Sequence, residues 1–101
     1  MEDLKEDVVD VEKRRWLLPA ATRGDAAAQT ALGMMHYNGE GGPQDFAEAK
    51  RLLGLAAAQG DANAQAVLGG MLGQGMGGPI DFDEARRLLG LAAAQGHAEA
   101  Q

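Results

Sequence analysis

The chain has 101 residues, of which 46% are hydrophobic but only 4% aromatic, and a formal net charge of −6. That allows one small domain whose core rests on alanine, leucine and glycine. It speaks against a nucleic-acid partner, which needs a basic footprint to displace counterions. The absence of cysteine excludes a disulfide framework and any thiolate metal site.

Residues 1–11 form an acidic leader. Glu2, Asp3, Glu6, Asp7 and Asp10 stand against Lys5 alone, the pattern of a solvated terminus, with an acidic docking tail as the alternative. The start has neither the charge nor the apolar stretch of a secretory signal, and no apolar run approaches membrane-spanning length. An intracellular, cytoplasmic location with no membrane partner is therefore expected.

Beyond the leader the chain repeats itself at a spacing of 36 residues. Ala28-Gln29-x-x-Leu32-Gly33 returns as Ala64-Gln65-x-x-Leu68-Gly69. Gly41-Gly42-Pro43-x-Asp45-Phe46 returns as Gly77-Gly78-Pro79-x-Asp81-Phe82, and Arg51 to Gly60 returns unchanged as Arg87 to Gly96. A fixed period in this range marks a stacked array. Glu12, Arg15 and Gly24 stand one period before Glu48, Arg51 and Gly60. Residues 12–24 are thus a degenerate half-repeat helix, 25–60 and 61–96 are full units, and 97–101 begin a third.

Each unit reads as two helices. The spacing predicts helices over 8–23, 26–38, 46–59, 62–74 and 82–95, and no sheet. Pro19, at the position of Leu55 and Leu91, should kink or shorten the first. Asp25 and Asp61 are N-cap candidates for helices that end at Gly39 and Gly75. Leu32 and Leu68 lie on their buried stripes. Asp45-x-x-Glu48 and Asp81-x-x-Glu84 resemble capping boxes. Gly60 and Gly96 should close the second helices in a left-handed conformation, with His97 standing in for Asp61 as the next cap. Leu53 and Leu89 should bridge to neighbouring units. Gly33 and Gly69, inside helices, point to close helix approach, with the Ala56-Ala57-Ala58 run as the matching surface.

These motifs resemble the Sel1-like repeat, a relative of the tetratricopeptide repeat, over residues 12–101. The resemblance implies an all-α fold, a right-handed α-α superhelical solenoid of antiparallel helix pairs. His36 and Leu72 stand where the family usually has an aromatic, and Gly42 and Gly78 where it usually has a branched apolar residue. The resemblance also implies a protein-interaction scaffold or adaptor binding a protein or peptide partner. A structural spacer or self-association module is the competing reading. An enzyme related to secreted cysteine-rich Sel1-like β-lactam-binding proteins is a third, disfavoured because the chain has neither serine nor cysteine.

No catalytic residue, cofactor or metal site is expected. His36 and His97 have no carboxylate pair at ligand spacing. The glycine runs lack the preceding strand and the following Lys-Ser or Lys-Thr of a phosphate loop. Glu12/Glu48/Glu84, Arg14/Lys50/Arg86 and Arg15/Arg51/Arg87 form charge ladders. They read as a solvated face laced by weak pairs, or as a basic stripe for an acidic partner. Carried over by register from the tetratricopeptide architecture, the groove would show Ala27, Thr30, Met34, Tyr37 and Asn38 from one unit. The next would show Asn63, Ala66, Gly70, Gly73 and Gln74. Tyr37 is either a peptide anchor or a cover for its helix end. The last unit should leave an apolar face for end-to-end self-association.

Overall fold

A computed structural model describes the backbone of residues 2–100 and the side chains of residues 8–96. Five helices follow in chain order: α1 (Glu2–Thr22), α2 (Ala26–Asn38), α3 (Phe46–Ala58), α4 (Ala62–Gln74) and α5 (Phe82–Ala100). No strand occurs among the described residues. Helix α2 packs on α3 and α4 on α5, while α1 lies on α2 and α3 on α4, giving the stacked antiparallel pairs that the repeat implies. No helix among the described residues is long and apolar enough to cross a membrane.

The helices start where their aspartates allow. Asp25 and Asp61 accept the backbone N–H of Ala28 and Ala64 at 2.9 Å. Asp45 and Asp81 accept those of Glu48 and Glu84 at 3.0 Å. Each bond satisfies an amide that the first helical turn leaves free. Only half of the expected capping box forms at α3 and α5. Glu48 does not reach back; it takes a two-bonded fork from Arg51 at 2.6 and 2.7 Å. Glu84 pairs with Arg87 through a single bond from Nε. A charge-assisted bond to a guanidinium outcompetes one to a neutral amide.

Two ends differ from expectation. Helix α1 begins at Glu2 rather than residue 8, and it runs through Pro19 to Thr22. Pro19 sits in the last turn, so its missing N–H and its ring disturb only one turn before the helix stops at Gly24 (φ +97°). Helix α5 runs past Gly96 to Ala100, and Gly96 is not left-handed. At Gly24 and Gly60 the chain turns, and the next amide, of Asp25 or Asp61, bonds back to Ala20 or Ala56. An aspartate cap then starts a helix that packs on the array. His97 carries no carboxylate to start a new helix, so α5 continues. The side chain of His97, and Gln101, lie outside the described residues.

The core is one row of small and branched side chains. Leu32 and Leu68 are buried as expected, and Leu53, Ala49, Ala56 and Ala64 are wholly buried. Leu53 lies against Gly33 of its own unit and belongs to a cluster that also holds Leu68 and Met71 of the following one. Leu89 packs on its own unit but stays 45% exposed, because no described element lies over α5 as α4 lies over α3. The notches left by Gly33 and Gly69 are filled by leucine rather than by the alanine run. A β-carbon at Gly33 or Gly69 would stand 2.9 Å from Cγ of Leu53 or Leu89.

The joints between units depend on a closer approach. Gly41 and Gly77 have φ of +74° and +76°. A β-carbon there would fall 2.5 Å from the Asp10 carbonyl oxygen or 2.6 Å from that of Phe46. Each Gly-Gly-Pro turn therefore rests directly on the backbone of the preceding unit's second helix. Gly77→Ala should destabilise the chain by more than about 1 kcal/mol, through both the left-handed backbone and the collision. Gly90, inside α5 with open space around it, is the control. Gly90→Ala should stabilise by about 0.5–1 kcal/mol. Urea denaturation of the two variants beside the parent checks both signs.

Candidate interaction surface

The residues expected to line the first-helix groove separate into two groups. Asn38, Asn63 and Gln74, with Ala27 and Ala66, lie exposed on α2 and α4. Thr30 does not: it is buried, and its hydroxyl finds no partner among the described residues. Its counterpart Ala66 is exposed, so the burial comes from stacking and not from the helix's own pairing. Met34 and Tyr37 pack against the main core cluster. The Tyr37 ring meets Phe46 edge to face, with centroids 5.5 Å apart. Its hydroxyl points at Met76 Sδ, 3.8 Å away in the next unit's turn. Tyr37 thus covers a seam between units, and its ring is half-buried.

Two clefts lie between successive second helices. One cleft of about 500 Å³ is lined by Ala21, Gly24, Gln29, Arg51, Leu52 and Leu55. A second, of about 510 Å³, includes their counterparts one period on: Ala57, Gly60, Gln65, Arg87, Leu88 and Leu91. Leu55 and Leu91 are 45% and 42% exposed. The unchanged run Arg51–Gly60/Arg87–Gly96 is the sequence signal that could have found these clefts, since their rims repeat with it.

The cleft floors are held by amides. Gln29 is 3% and Gln65 4% exposed. Gln29 donates to the Ala21 carbonyl at 3.2 Å and accepts from Gln59 at 2.9 Å. Gln65 donates to Ala57 and accepts from Gln95 in the same pattern. Gln59 and Gln95 also donate to Gly24 and Gly60. These four glutamines join each helix pair to the helix before it, so the cleft geometry is set by buried polar bonds as well as by packing.

The charge ladders are not equivalent. Arg15, Arg51 and Arg87 pair with the glutamates three residues earlier on the solvated face. Arg14 instead reaches into the next unit's turn. It donates to the carbonyls of Glu40 at 2.5 Å, Met35 at 3.2 Å and Pro43 at 3.4 Å. Its guanidinium also lies 3.3 Å from His36 Nδ1. One period on, the Lys50 ammonium occupies the space into which a β-carbon on Gly78 would point. Arg14 thus clamps one unit to the next and Lys50 reaches the next unit's turn, whereas Arg86 pairs with exposed Asp83 on its own helix. Sequence periodicity could not separate this ladder from its neighbour, because both bases recur at 36.

Burial, and next the Arg14 charge, hold His36 below the ordinary histidine value of 6.5, against weaker opposite pulls from Glu48 and Asp45. Neutral His36 accepts from Arg14; protonated, it would repel it. The stability linked to His36 is complete above 6.5 and is lost as pH falls from 6.5 through the folded-state value. Glu48, held below 4.5 chiefly by its hydrogen bond from Arg51, contributes only in a lower window. The melting temperature should fall as the pH drops below 6.5, and His36→Gln should flatten that step. An equal fall in the variant counts against the pairing.

Comparison with known proteins places the chain among repeat arrays. The family model described as "Sel1 repeat" matches residues 26–61 and 62–97. A Sel1 repeat protein from Oxalobacter formigenes superposes with a TM-score of 0.79 at 40% identity, over 81% of this chain and 24% of its own. c5321, a protective antigen of uropathogenic Escherichia coli strains with an SLR fold, superposes with a TM-score of 0.80 at 36% identity, over 82% of this chain and 18% of its own. The chain therefore spans a quarter or less of either solved array. The comparison with curated proteins finds no match.

Proposed function

We propose, from the premise that this chain belongs to the Sel1 repeat family, that it is a protein-interaction module taking an extended peptide or protein segment. The observation that carries this is the pair of equivalent clefts one period apart, each with an exposed leucine and an arginine at its rim. An extended segment with apolar side chains and nearby carboxylates could engage both, since the same chemistry is offered twice in register. The first-helix face, with the amides of Asn38, Asn63 and Gln74, is the competing surface. It offers fewer side chains, because Thr30 is buried and Met34 and Tyr37 pack against the core. No reaction is assigned to either surface.

A random peptide library displayed on phage and panned against the chain tests the proposal. Peptides selected this way should weaken at least about tenfold against Leu91→Asp, the loss of one anchoring contact. They should bind Asn63→Ala/Gln74→Ala as they bind the parent. The reverse pattern moves the site to the first helices, and a panning that enriches nothing counts against peptide recognition.

A second function, self-association as a structural module, is favoured by one observation. Phe82 and Leu89 are 63% and 45% exposed, whereas the equivalent Phe46 is half-buried and Leu53 wholly buried. Exposed apolar faces of this kind seek partners. If this face associates end to end, the solution mass of the chain should rise with concentration, and Leu89→Glu should return it to that of a monomer. A constant monomer mass removes this reading.

A further inference from the structure

We infer that Arg86 is a specificity residue, and that the open face of α5 selects a further helix-pair unit whose turn carries glycine at the position of Gly42 and Gly78. The inference is independent of the peptide clefts.

Two joints show how the selection works. At the first, Gly41 rests on the Asp10 carbonyl, and the Arg14 guanidinium lies where a β-carbon on Gly42 would come within 2.8 Å of it. Arg14 takes three carbonyls of that segment, those of Met35, Glu40 and Pro43. At the second, Gly77 rests on the Phe46 carbonyl, and the Lys50 ammonium lies 2.5 Å from the same point on Gly78. In both, a base on the second helix of one unit is matched by glycine 28 residues later. The two are coupled for a physical reason. At the first joint the cation reaches the turn carbonyls across the space that a side chain at that glycine would fill, and at the second the ammonium occupies the same space.

The third joint has the same first half. Phe82 stands at the register of Phe46, and Arg86 at that of Arg14 and Lys50. Among the described residues no turn lies over them. Arg86 has only an exposed pair with Asp83 on its own helix, with side chains 76% and 91% exposed. Leu89 and Phe82 extend the same face. The face is therefore continuous in register with two formed interfaces, and they define its occupant: a helix pair with a Gly-x-Gly-Gly-Pro turn. A turn with a branched residue at the second of these paired glycines would displace the arginine from the carbonyls.

The test is a coupling measurement. The chain is extended so that residues 97 onward repeat the sequence of 61–96, once with glycine and once with valine at the register of Gly78. Each form is made with Arg86 and with Arg86→Ala, and all four are melted beside the parent and parent Arg86→Ala. The glycine extension should raise the Tm by about 4 °C or more. Arg86→Ala should lower the Tm of that form, leave the parent unchanged, and remove the preference of glycine over valine. Additive effects, or a fall in the parent as large as in the extended chain, overturn the assignment. So does a parent whose solution mass shows a dimer abolished by Arg86→Ala, because the occupant would then be a second copy.

Discussion

The array depends on how closely a turn can lie against the backbone of the helix before it. At Gly41 and Gly77 no side chain could stand between the turn and the preceding carbonyl. Left-handed φ at both positions turns the chain so that this approach is available. Everything outward from that contact has a fixed place. The base at Arg14 or Lys50 spans the gap, and Tyr37 reaches over to Met76. The core cluster that holds Leu53 runs on into the next unit. A larger residue at the contact would push the units apart along their whole length, and these secondary contacts would be lost together.

Stacking also explains why nearly identical units have unequal surroundings. Leu53 and Leu89 have the same neighbours in sequence, but one is wholly buried and the other is 45% exposed. Thr30 and Ala66 differ in the same sense. The difference arises because a solenoid unit completes its core only with its neighbour's helices. Trp16 shows the matching effect at the other end. It lies at the register of Leu52 and Leu88, which are buried against their own first helices, but it is 74% exposed. No described helix precedes α1 to cover it.

The interaction surface was only partly legible in the residues. The amides of Asn38, Asn63 and Gln74 are outward, as helical register suggests. Tyr37, polar at its tip and off the apolar stripe, read equally as a peptide anchor or as a cover for its helix end. Its actual environment includes Phe46 and Met76, and the latter is 39 residues away. The clefts at Leu55 and Leu91 were hidden for the opposite reason. Those leucines sit inside an apolar run whose periodicity does not mark them as outward, yet they are 45% and 42% exposed on the cleft rims.

By itself the sequence determined the period, the five helices, the aspartate that starts each of α2 to α5, and the glycines that stop α2, α3 and α4. These are local matters, settled by capping, backbone freedom and apolar spacing within one or two turns. It also determined that Leu32 and Leu68 face inward, because helical spacing alone identifies a stripe. Only the tertiary structure decided which of two equally periodic bases crosses to the next unit, since Arg14 and Arg15 differ by one step around the helix. It decided that Leu89 is exposed where Leu53 is buried. That depends on whether another helix lies against the residue, and the repeating sequence carries the same letters around both leucines.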